Sequence, residues 1–234
     1  MEQTRMERMM QPVMRRYSMV MMMGFLIVLA SFIIGTINSS TAAEYFAFSK
    51  QERETATAGS DLVNQKVFVE RTKVWLPPFK FVGLGMMLGA ITMALGTIAQ
   101  RLRTMGETVM GTWPDRLRPE MPPKPMAAKM FPMMMMMGIV ILFVALFVSL
   151  WLQGVAADYW NHAIATQLNP AQPGSELLNQ LGTIQSVKAW LTPFKFVGMG
   201  FLFTGITLAL VTIIGALRKQ EETVGTFISQ AESS

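Results

Sequence analysis

The sequence contains no cysteine and a single histidine, His162, and these two shortages exclude several kinds of chemistry. Disulfides, thiolate zinc sites, iron–sulfur clusters and cysteine nucleophiles all require thiols. His162 with Asp158, four residues earlier, falls short of the ligand sets that metal or haem sites use. The sequence also holds no GxxxxGK phosphate loop and no dinucleotide-binding glycine pattern between a strand and a helix. We therefore expect a protein that is not an enzyme and that binds no cofactor.

Charge is also scarce, since charged residues make up 15% of the chain against about 25% in ordinary globular proteins. Hydrophobic residues make up 51%. Four apolar runs have no ionised side chain in their interior and approach or reach the roughly 20 residues that a helix needs to cross a bilayer. These runs are Met19–Ile37, Phe81–Ala99, Met133–Leu152 and Val197–Leu217. They predict transmembrane helices at about 19–37, 79–100, 133–152 and 194–217, and the lack of carboxylates within them disfavours a proton relay.

The first run has a second interpretation as a signal peptide, with Arg15 and Arg16 before it and SSTAAE as a cleavage site. The run has a counterpart later in the chain that no cleavage removes. We therefore interpret it as a retained helix.

The chain is a tandem duplication. An offset of 115 residues places WLPPFKFVG at 75–83 on WLTPFKFVG at 190–198, and GETV at 106–109 on EETV at 221–224. An offset of 114 places MMMGF at 21–25 on MMMGI at 135–139, and AAEYF at 42–46 on AADYW at 156–160. Matches in this order indicate an internal repeat.

The duplication predicts the organisation of the whole chain. Repeat 1 covers 1–105 with an outer loop at 38–78, a proline-rich linker covers 106–131, and repeat 2 covers 132–234 with an outer loop at 153–193. Because each repeat has an even number of helices, both insert in the same direction and the repeats are parallel. The predicted fold class is an all-α integral membrane protein with four transmembrane helices, arranged as two parallel tandem-repeat hairpins with extracytoplasmic loops.

Basic residues predict the orientation. Pairs of them lie against the helix ends that adjoin the termini and the linker: Arg15 and Arg16, Arg101 and Arg103, and Arg218 and Lys219. By the positive-inside rule, both termini are expected in the cytoplasm, with the chain in the cell (inner) membrane. The same distribution of basic residues argues against nucleic acid as the partner, despite the net charge of +5. The proline-rich linker is interpreted as a spacer, or alternatively as a docking strip for a cytoplasmic partner or acidic lipids.

The repeated PFKFVG motif supplies the candidate site residues. Trp75, Pro78 and Lys80 in repeat 1 match Trp190, Pro193 and Lys195 in repeat 2. We expect each proline in the first helical turn, each tryptophan in the interfacial aromatic belt, and each lysine at the outer membrane boundary. A cation at a helix N-terminus opposes the helix dipole, so a compensating anion is expected. We hypothesise that Glu44 pairs with Lys80 and Asp158 with Lys195. The alternatives for the lysines are phospholipid binding, partner-subunit binding, or a proton or substrate relay.

Small residues continue along the helices that follow this motif. Gly85 and Gly89 form GxxxG, and their counterparts are Gly200 and Thr204. Small residues let helix backbones approach closely in lipid. They predict contact between the second and fourth helices, or with another chain.

Methionine is abundant, with 23 residues, and it clusters at the starts of the first and third runs. Thioethers are soft ligands that select Cu(I). The residues that such a site would use are Met21, Met22, Met23, Met135, Met136 and Met137. Consecutive methionines point around the whole helix, however, so we favour methionine as an adaptable apolar residue at helix contacts.

Together these features predict a non-catalytic integral membrane subunit or scaffold that stabilises a larger membrane complex, for which a respiratory or oxygenase assembly is one candidate. Its expected partners are other integral membrane subunits and phospholipids. The alternative function is a small membrane transporter or channel, with Cu(I) as its most specific cargo. The spans offer only threonines such as Thr92 and Thr207 to line a path, and threonines in helices bond more often to their own helix or a neighbour.

Overall fold

The computed structural model describes residues 16–111, 125–168 and 174–232, and helices are the regular secondary structure in these ranges. They are α1 (Tyr17–Ala47), α2 (Lys50–Glu54), α3 (Asp61–Gly111), α4 (Met126–Trp160), α5 (Ile164–Leu168) and α6 (Glu176–Glu232). The predicted all-α class is confirmed for the part of the chain that the structure describes. Helices α1, α3, α4 and α6 are long and apolar enough to cross a membrane, which indicates a multi-pass membrane protein.

The long helices extend well beyond the apolar runs. Helix α1 continues past Ile37 to Ala47, and α3 and α6 begin at Asp61 and Glu176, far ahead of the runs they contain. Much of 38–78 and 153–193, where loops were expected, is therefore helical. The apolar runs mark where a helix can cross lipid, whereas the ends of a helix depend on local capping chemistry.

A matching pair of segments starts α3 and α6: GSDLVNQ at 59–65 and GSELLNQ at 174–180. Gly59 and Gly174 adopt φ values of 80° and 83°, which glycine reaches without the steric cost that a side chain brings. In both segments an asparagine amide donates a hydrogen bond to the glycine carbonyl, from Asn64 to Gly59 and from Asn179 to Gly174, each at 3.4 Å. The two helix starts thus have the same local structure.

Prolines lie inside the long helices, at Pro77, Pro78, Pro132 and Pro193. The expectation that Pro78 and Pro193 occupy a first helical turn was therefore wrong. Proline removes one backbone hydrogen bond from a helix interior, but membrane helices tolerate it because neighbouring groups satisfy the freed carbonyl.

Contacts within the chain divide it into two compact units. The motif unit comprises residues 23–85 and 139–199, and it contains both PFKFVG motifs. One of its buried clusters joins Val74 of α3 and Ile184 of α6 to three residues of α4, Leu152, Ala156 and Tyr159. Another joins Tyr45 of α1, Val63 of α3 and Ile164 of α5. The aromatic and aliphatic side chains of these clusters hold the ends of five helices together.

The exit unit comprises the described residues among 1–22, 86–138 and 200–234. Within it α6 lies close to α4, since a Cβ placed on Gly205 would lie 3.3 Å from Met135 N and 3.4 Å from Phe131 O. Farther along α6, Gln220 Nε2 donates a hydrogen bond to Leu102 O of α3 at 2.9 Å. Within this unit α6 therefore packs against α4 at Gly205 and bonds to α3 through the Gln220 side chain.

Candidate membrane-interface site

The two PFKFVG motifs contact each other. The rings of Phe81 and Phe196 lie 5.4 Å apart at an interplanar angle of 85°, an edge-to-face pair. Such pairs contribute about 0.5–1.5 kcal/mol beyond the apolar area that they bury. The residues that are equivalent in the two repeats thus meet in the motif unit, on α3 and α6.

The two lysines of the motifs occupy different environments. Lys195 is 6% exposed, and its Nζ lies 5.3 Å from the centroid of the Phe81 ring. Lys80 is exposed and forms no hydrogen bond or ion pair with the residues that the structure describes. The negative face of an aromatic ring stabilises a buried ammonium. The Phe81 ring therefore takes the place that Asp158 was expected to occupy beside Lys195.

The hypothesised ion pairs are not formed. Within residues 16–111, 125–168 and 174–232 the ion pairs are Lys50–Glu54, Lys73–Glu70 and Arg103–Glu107. Glu44 and Asp158 are both exposed and neither pairs with a motif lysine.

Helix geometry explains why Glu44 does not form an ion pair with Lys80. A Cβ placed on Gly35 would lie 3.9 Å from Lys80 Nζ, and Glu44 lies nine residues farther along the same helix, about 13 Å at 1.5 Å per residue. The dipole argument fails as well, because Lys80 and Lys195 lie far from the first turns of α3 and α6.

The aromatic residues of each motif form matching pairs. Trp75 and Phe79 have ring centroids 5.6 Å apart, and Trp190 and Phe194 have centroids 5.5 Å apart. The two motifs differ in burial, since Pro78 is fully buried whereas Trp190 and Pro193 are exposed. The tryptophan–phenylalanine pair therefore has the same geometry in both motifs, although the two motifs differ in burial.

A groove lies beside Lys80, between α1 and α3. It has a volume of about 310 Å³ and is lined by Val28, Phe32, Lys80, Phe81 and Leu84. Its lining is almost wholly apolar apart from the lysine. Phe32 and Leu84 are exposed, so the groove faces the surroundings of the chain.

Glycines at matching positions of the two motifs let α3 pack closely against α1 and α6 closely against α4. A Cβ on Gly83 would lie 2.8 Å from Ile27 Cγ2 and 3.0 Å from both Gly24 O and Val28 Cγ2. A Cβ on Gly198 would lie 3.0 Å from both Ile141 Cγ2 and Leu142 Cδ2. Only a hydrogen fits at these two positions without displacement of a neighbour.

The small residues singled out in the sequence divide into two groups. Gly85 and Gly89 on α3 are buried, whereas Gly200 and Thr204 on α6 are exposed. No atom would lie within 4 Å of a Cβ on Gly200. Thr204 Oγ1 donates to Gly200 O at 2.9 Å, so its hydroxyl is satisfied within the helix.

A cluster of aromatic residues and cations at the ends of the helices was missed by the sequence analysis. Arg53 Cζ lies 5.5 Å from the ring centroid of Tyr45 and 5.1 Å from that of Phe46. Lys66 Nζ lies 4.4 Å from the ring centroid of Trp160 and donates to Gln167 Oε1 at 3.2 Å.

Gln167 fixes the orientation of this cluster. It is buried, and its amide nitrogen donates to the carbonyls of Trp160 at 3.1 Å and His162 at 2.6 Å. The signal in the sequence was the repeated AAEYF and AADYW, in which the tyrosine, Tyr45 or Tyr159, is buried and the acid before it is exposed.

Ligands for a metal ion do not converge in the described ranges, where no group of three or more histidine, cysteine or acidic residues occurs. His162 is exposed, and its Nδ1 lies 2.9 Å from Asp158 O. Of the methionines considered for Cu(I), Met135 is buried, and Met21, Met22, Met23, Met136 and Met137 are exposed.

The threonines of the spans use their hydroxyls within their own helices. Thr92 donates to Leu88 O and Thr207 to Phe203 O, each at 3.0 Å. Thr212 donates to Leu208 O at 2.8 Å. Bonding of this kind was expected. Because the hydroxyl protons are donated to backbone carbonyls, they are not available to line a path for a transported solute.

Comparisons with protein-family models, with curated proteins and with solved structures give no match to this chain.

Proposed function

We propose that this chain is a non-catalytic integral membrane subunit or scaffold that packs against other integral membrane subunits and stabilises their complex. The observation that carries the proposal is the apolar surface that the chain leaves uncovered. The most apolar part of α1 is only 11% buried. In addition, Gly200 and Thr204 of α6 are exposed, so a partner helix can approach α6 closely at these small residues.

The arrangement that we propose for the chain is two parallel hairpins in the cell (inner) membrane, with both termini cytoplasmic and the connections α1–α3 and α4–α6 outside. Contact between the equivalent residues Phe81 and Phe196 supports parallel repeats, because equivalent positions of inverted repeats lie at opposite depths. The glycine contacts support it too, since Ile27 and Val28 correspond to Ile141 and Leu142 at the offset of 114.

A transporter or channel is the less favoured function. It needs polar groups that line a path, and the threonine hydroxyls of the spans bond to their own helices. Copper handling in particular needs thioethers that converge on one ion, and the candidate methionines differ in burial. A respiratory or oxygenase assembly remains a candidate for the complex that the chain joins.

Extraction of the tagged chain in a mild nonionic detergent tests the proposal. Native electrophoresis followed by mass spectrometry is expected to show the chain together with other integral membrane proteins at fixed stoichiometry. Copper is measured in the same band. Migration of the chain alone with stoichiometric copper would overturn the proposal and favour the transporter instead.

A further inference from the structure

The groove between α1 and α3 combines an apolar lining with one unpaired cation. Val28 and Phe32 of α1 and Phe81 and Leu84 of α3 supply the apolar walls, and Lys80 supplies the charge. The groove faces outward from the chain at the exposed side chains of Phe32 and Leu84. Both α1 and α3 are membrane-crossing candidates, so lipid is the solvent available to fill this space.

Lys80 has no counter-ion among residues 16–111, 125–168 and 174–232. A cation on a membrane-crossing helix costs free energy unless it finds an anion or reaches water. Its equivalent, Lys195, is more than nine-tenths buried and also lacks an acidic partner in those ranges. Lys195 Nζ lies over the ring of Phe81, which forms one wall of the groove. Lys80 thus lines the groove, Lys195 lies against one of its walls, and neither has an acidic partner in the described ranges, so the groove attracts an anion.

We propose that this groove binds an anionic phospholipid, with the lipid phosphate on Lys80 and an acyl chain along Val28, Phe32 and Leu84. The charge matches a phosphate, and the apolar walls match hydrocarbon, which a free inorganic anion cannot use. The exposed position lets Lys80 meet a headgroup by extending its apolar stem along the groove. This inference does not depend on a partner subunit, so it can hold or fail independently of the proposed function.

Native mass spectrometry of the full chain tests the lipid site. The chain is reconstituted in nanodiscs that contain equal amounts of phosphatidylglycerol and phosphatidylcholine, and the lipids that it retains on release are counted. We expect the wild-type chain to retain one phosphatidylglycerol with about fivefold preference, which is what roughly 1 kcal/mol per lysine near an anionic surface corresponds to.

Variants separate the phosphate contact from the apolar groove. Lys80→Gln is expected to abolish the preference for phosphatidylglycerol, and Lys80→Arg to keep it. Leu84→Trp, which fills the groove, is expected to abolish retention of the lipid. Lys188→Gln removes a lysine of α6 that does not line the groove, and it is expected to behave as wild type. Circular dichroism of each variant establishes that it is folded. If Lys80→Gln does not fold, Lys80→Arg and Leu84→Trp still test the phosphate contact and the apolar groove.

Three results would overturn the proposal. The first is an equal retention of the two lipids by the wild-type chain. The second is an unchanged preference for phosphatidylglycerol in both Lys80→Gln and Leu84→Trp. The third is protection of the lipid-free chain against thermal unfolding by inorganic phosphate alone, because that result assigns Lys80 to a free anion.

Discussion

At the scale of single residues, identical side chains in duplicated motifs occupy different environments. Lys195 is buried beside Phe81, and Lys80 is exposed beside a groove. The sequence places both lysines in the same PFKFVG context, so it predicted one role for both. The difference arises from neighbours on other helices, which a motif of nine residues does not contain.

A double-mutant cycle tests the role of Phe81 as the partner of Lys195. Because a desolvated cation–π contact is worth about 2 kcal/mol, Lys195→Met and Phe81→Leu are expected to show a coupling free energy of about 1–2 kcal/mol. Denaturant unfolding in detergent micelles measures the four free energies of unfolding. The control cycle of Lys80→Met with Phe81→Leu is expected to give no coupling. A coupling of the same size in both cycles would contradict the assignment.

Glycines provide a second test at the same scale. Gly83→Ala is expected to lower the free energy of unfolding by about 1–3 kcal/mol, the usual cost of overpacking. The new methyl group would lie 3.0 Å from the backbone carbonyl of Gly24, which cannot move aside as a side chain can. Gly200→Ala is the matched control, since it meets open space, and it is expected to leave stability unchanged or raise it by up to about 1 kcal/mol, because alanine favours a helix more than glycine does. Equal losses in the two variants would show that the close approach of α1 and α3 is wrong.

At the scale of elements, the sequence predicted which segments form helices apolar enough to cross a membrane, but it predicted less well where those helices begin and end. The apolar runs are recognisable because about 20 uncharged residues suffice for a span. The starts of α3 and α6 depend on Gly59 and Gly174, whose positive φ values are set by local turns. The segments GSDLVNQ and GSELLNQ repeat at the offset of 115 and could have been found by extending the self-alignment into the predicted loops. The partners of the site lysines could not be found in this way, because they depend on how α3 and α6 meet.

The short helix α2 provides a pH-dependent element. The Glu52 carboxylate accepts hydrogen bonds from Ser49 Oγ at 2.7 Å and from Ser49 N at 2.9 Å. These bonds, from the side chain first and the backbone second, lower the pKa of Glu52 below its ordinary value. Because the folded-state pKa is the lower one, the stability that this carboxylate contributes is present at neutral pH and is lost as the pH falls through that pKa.

Titration of Glu52 by carboxyl-detected NMR in micelles measures this effect. The midpoint is expected below the ordinary range of a glutamate, with fraying of α2 over the same acid interval. Ser49→Ala is expected to raise the midpoint, because it removes the side-chain donor. Ser60→Ala, at the start of α3, is the control and is expected to leave the midpoint of Glu52 unchanged. An unchanged midpoint in Ser49→Ala would show that the capping bonds do not form in solution.

At the scale of the whole molecule, the absence of cysteine makes the proposed topology directly measurable. Single cysteines are introduced at Thr57 and Asn161, in the two proposed outer connections, and at Thr104 and Ser229, toward the proposed cytoplasmic side; all four positions are exposed. A membrane-impermeant maleimide is expected to label the first two in intact spheroplasts and the last two only after permeabilisation. Labelling of Thr57→Cys and Asn161→Cys from opposite sides would contradict parallel repeats. Labelling of all four with the sides exchanged would keep the repeats parallel and reverse only the orientation.

The two repeats differ in one surface at which the proposed partner subunit can be tested. Gly85 and Gly89 are buried within the chain, whereas their counterparts Gly200 and Thr204 are exposed. If a partner helix uses this face, Gly200→Leu blocks its close approach without a clash inside the chain, since no atom surrounds the Gly200 Cβ position. We expect Gly200→Leu to leave the thermal stability of the isolated chain unchanged and to remove the partner proteins from the native-gel band.

Gly154→Leu on α4 is the matched control for this variant, because Gly154 is also exposed with no atom within 4 Å of its Cβ position. It is expected to retain the partner proteins in the band. Retention of the partners by both variants would show that the complex forms through another surface, for which α1 is the next candidate because its apolar part is the least buried of the four candidate spans. Loss of the partners in both would show a general sensitivity to added bulk. Only loss confined to Gly200→Leu assigns the interface to α6, because it separates a specific helix contact from the cost of enlarging any exposed glycine.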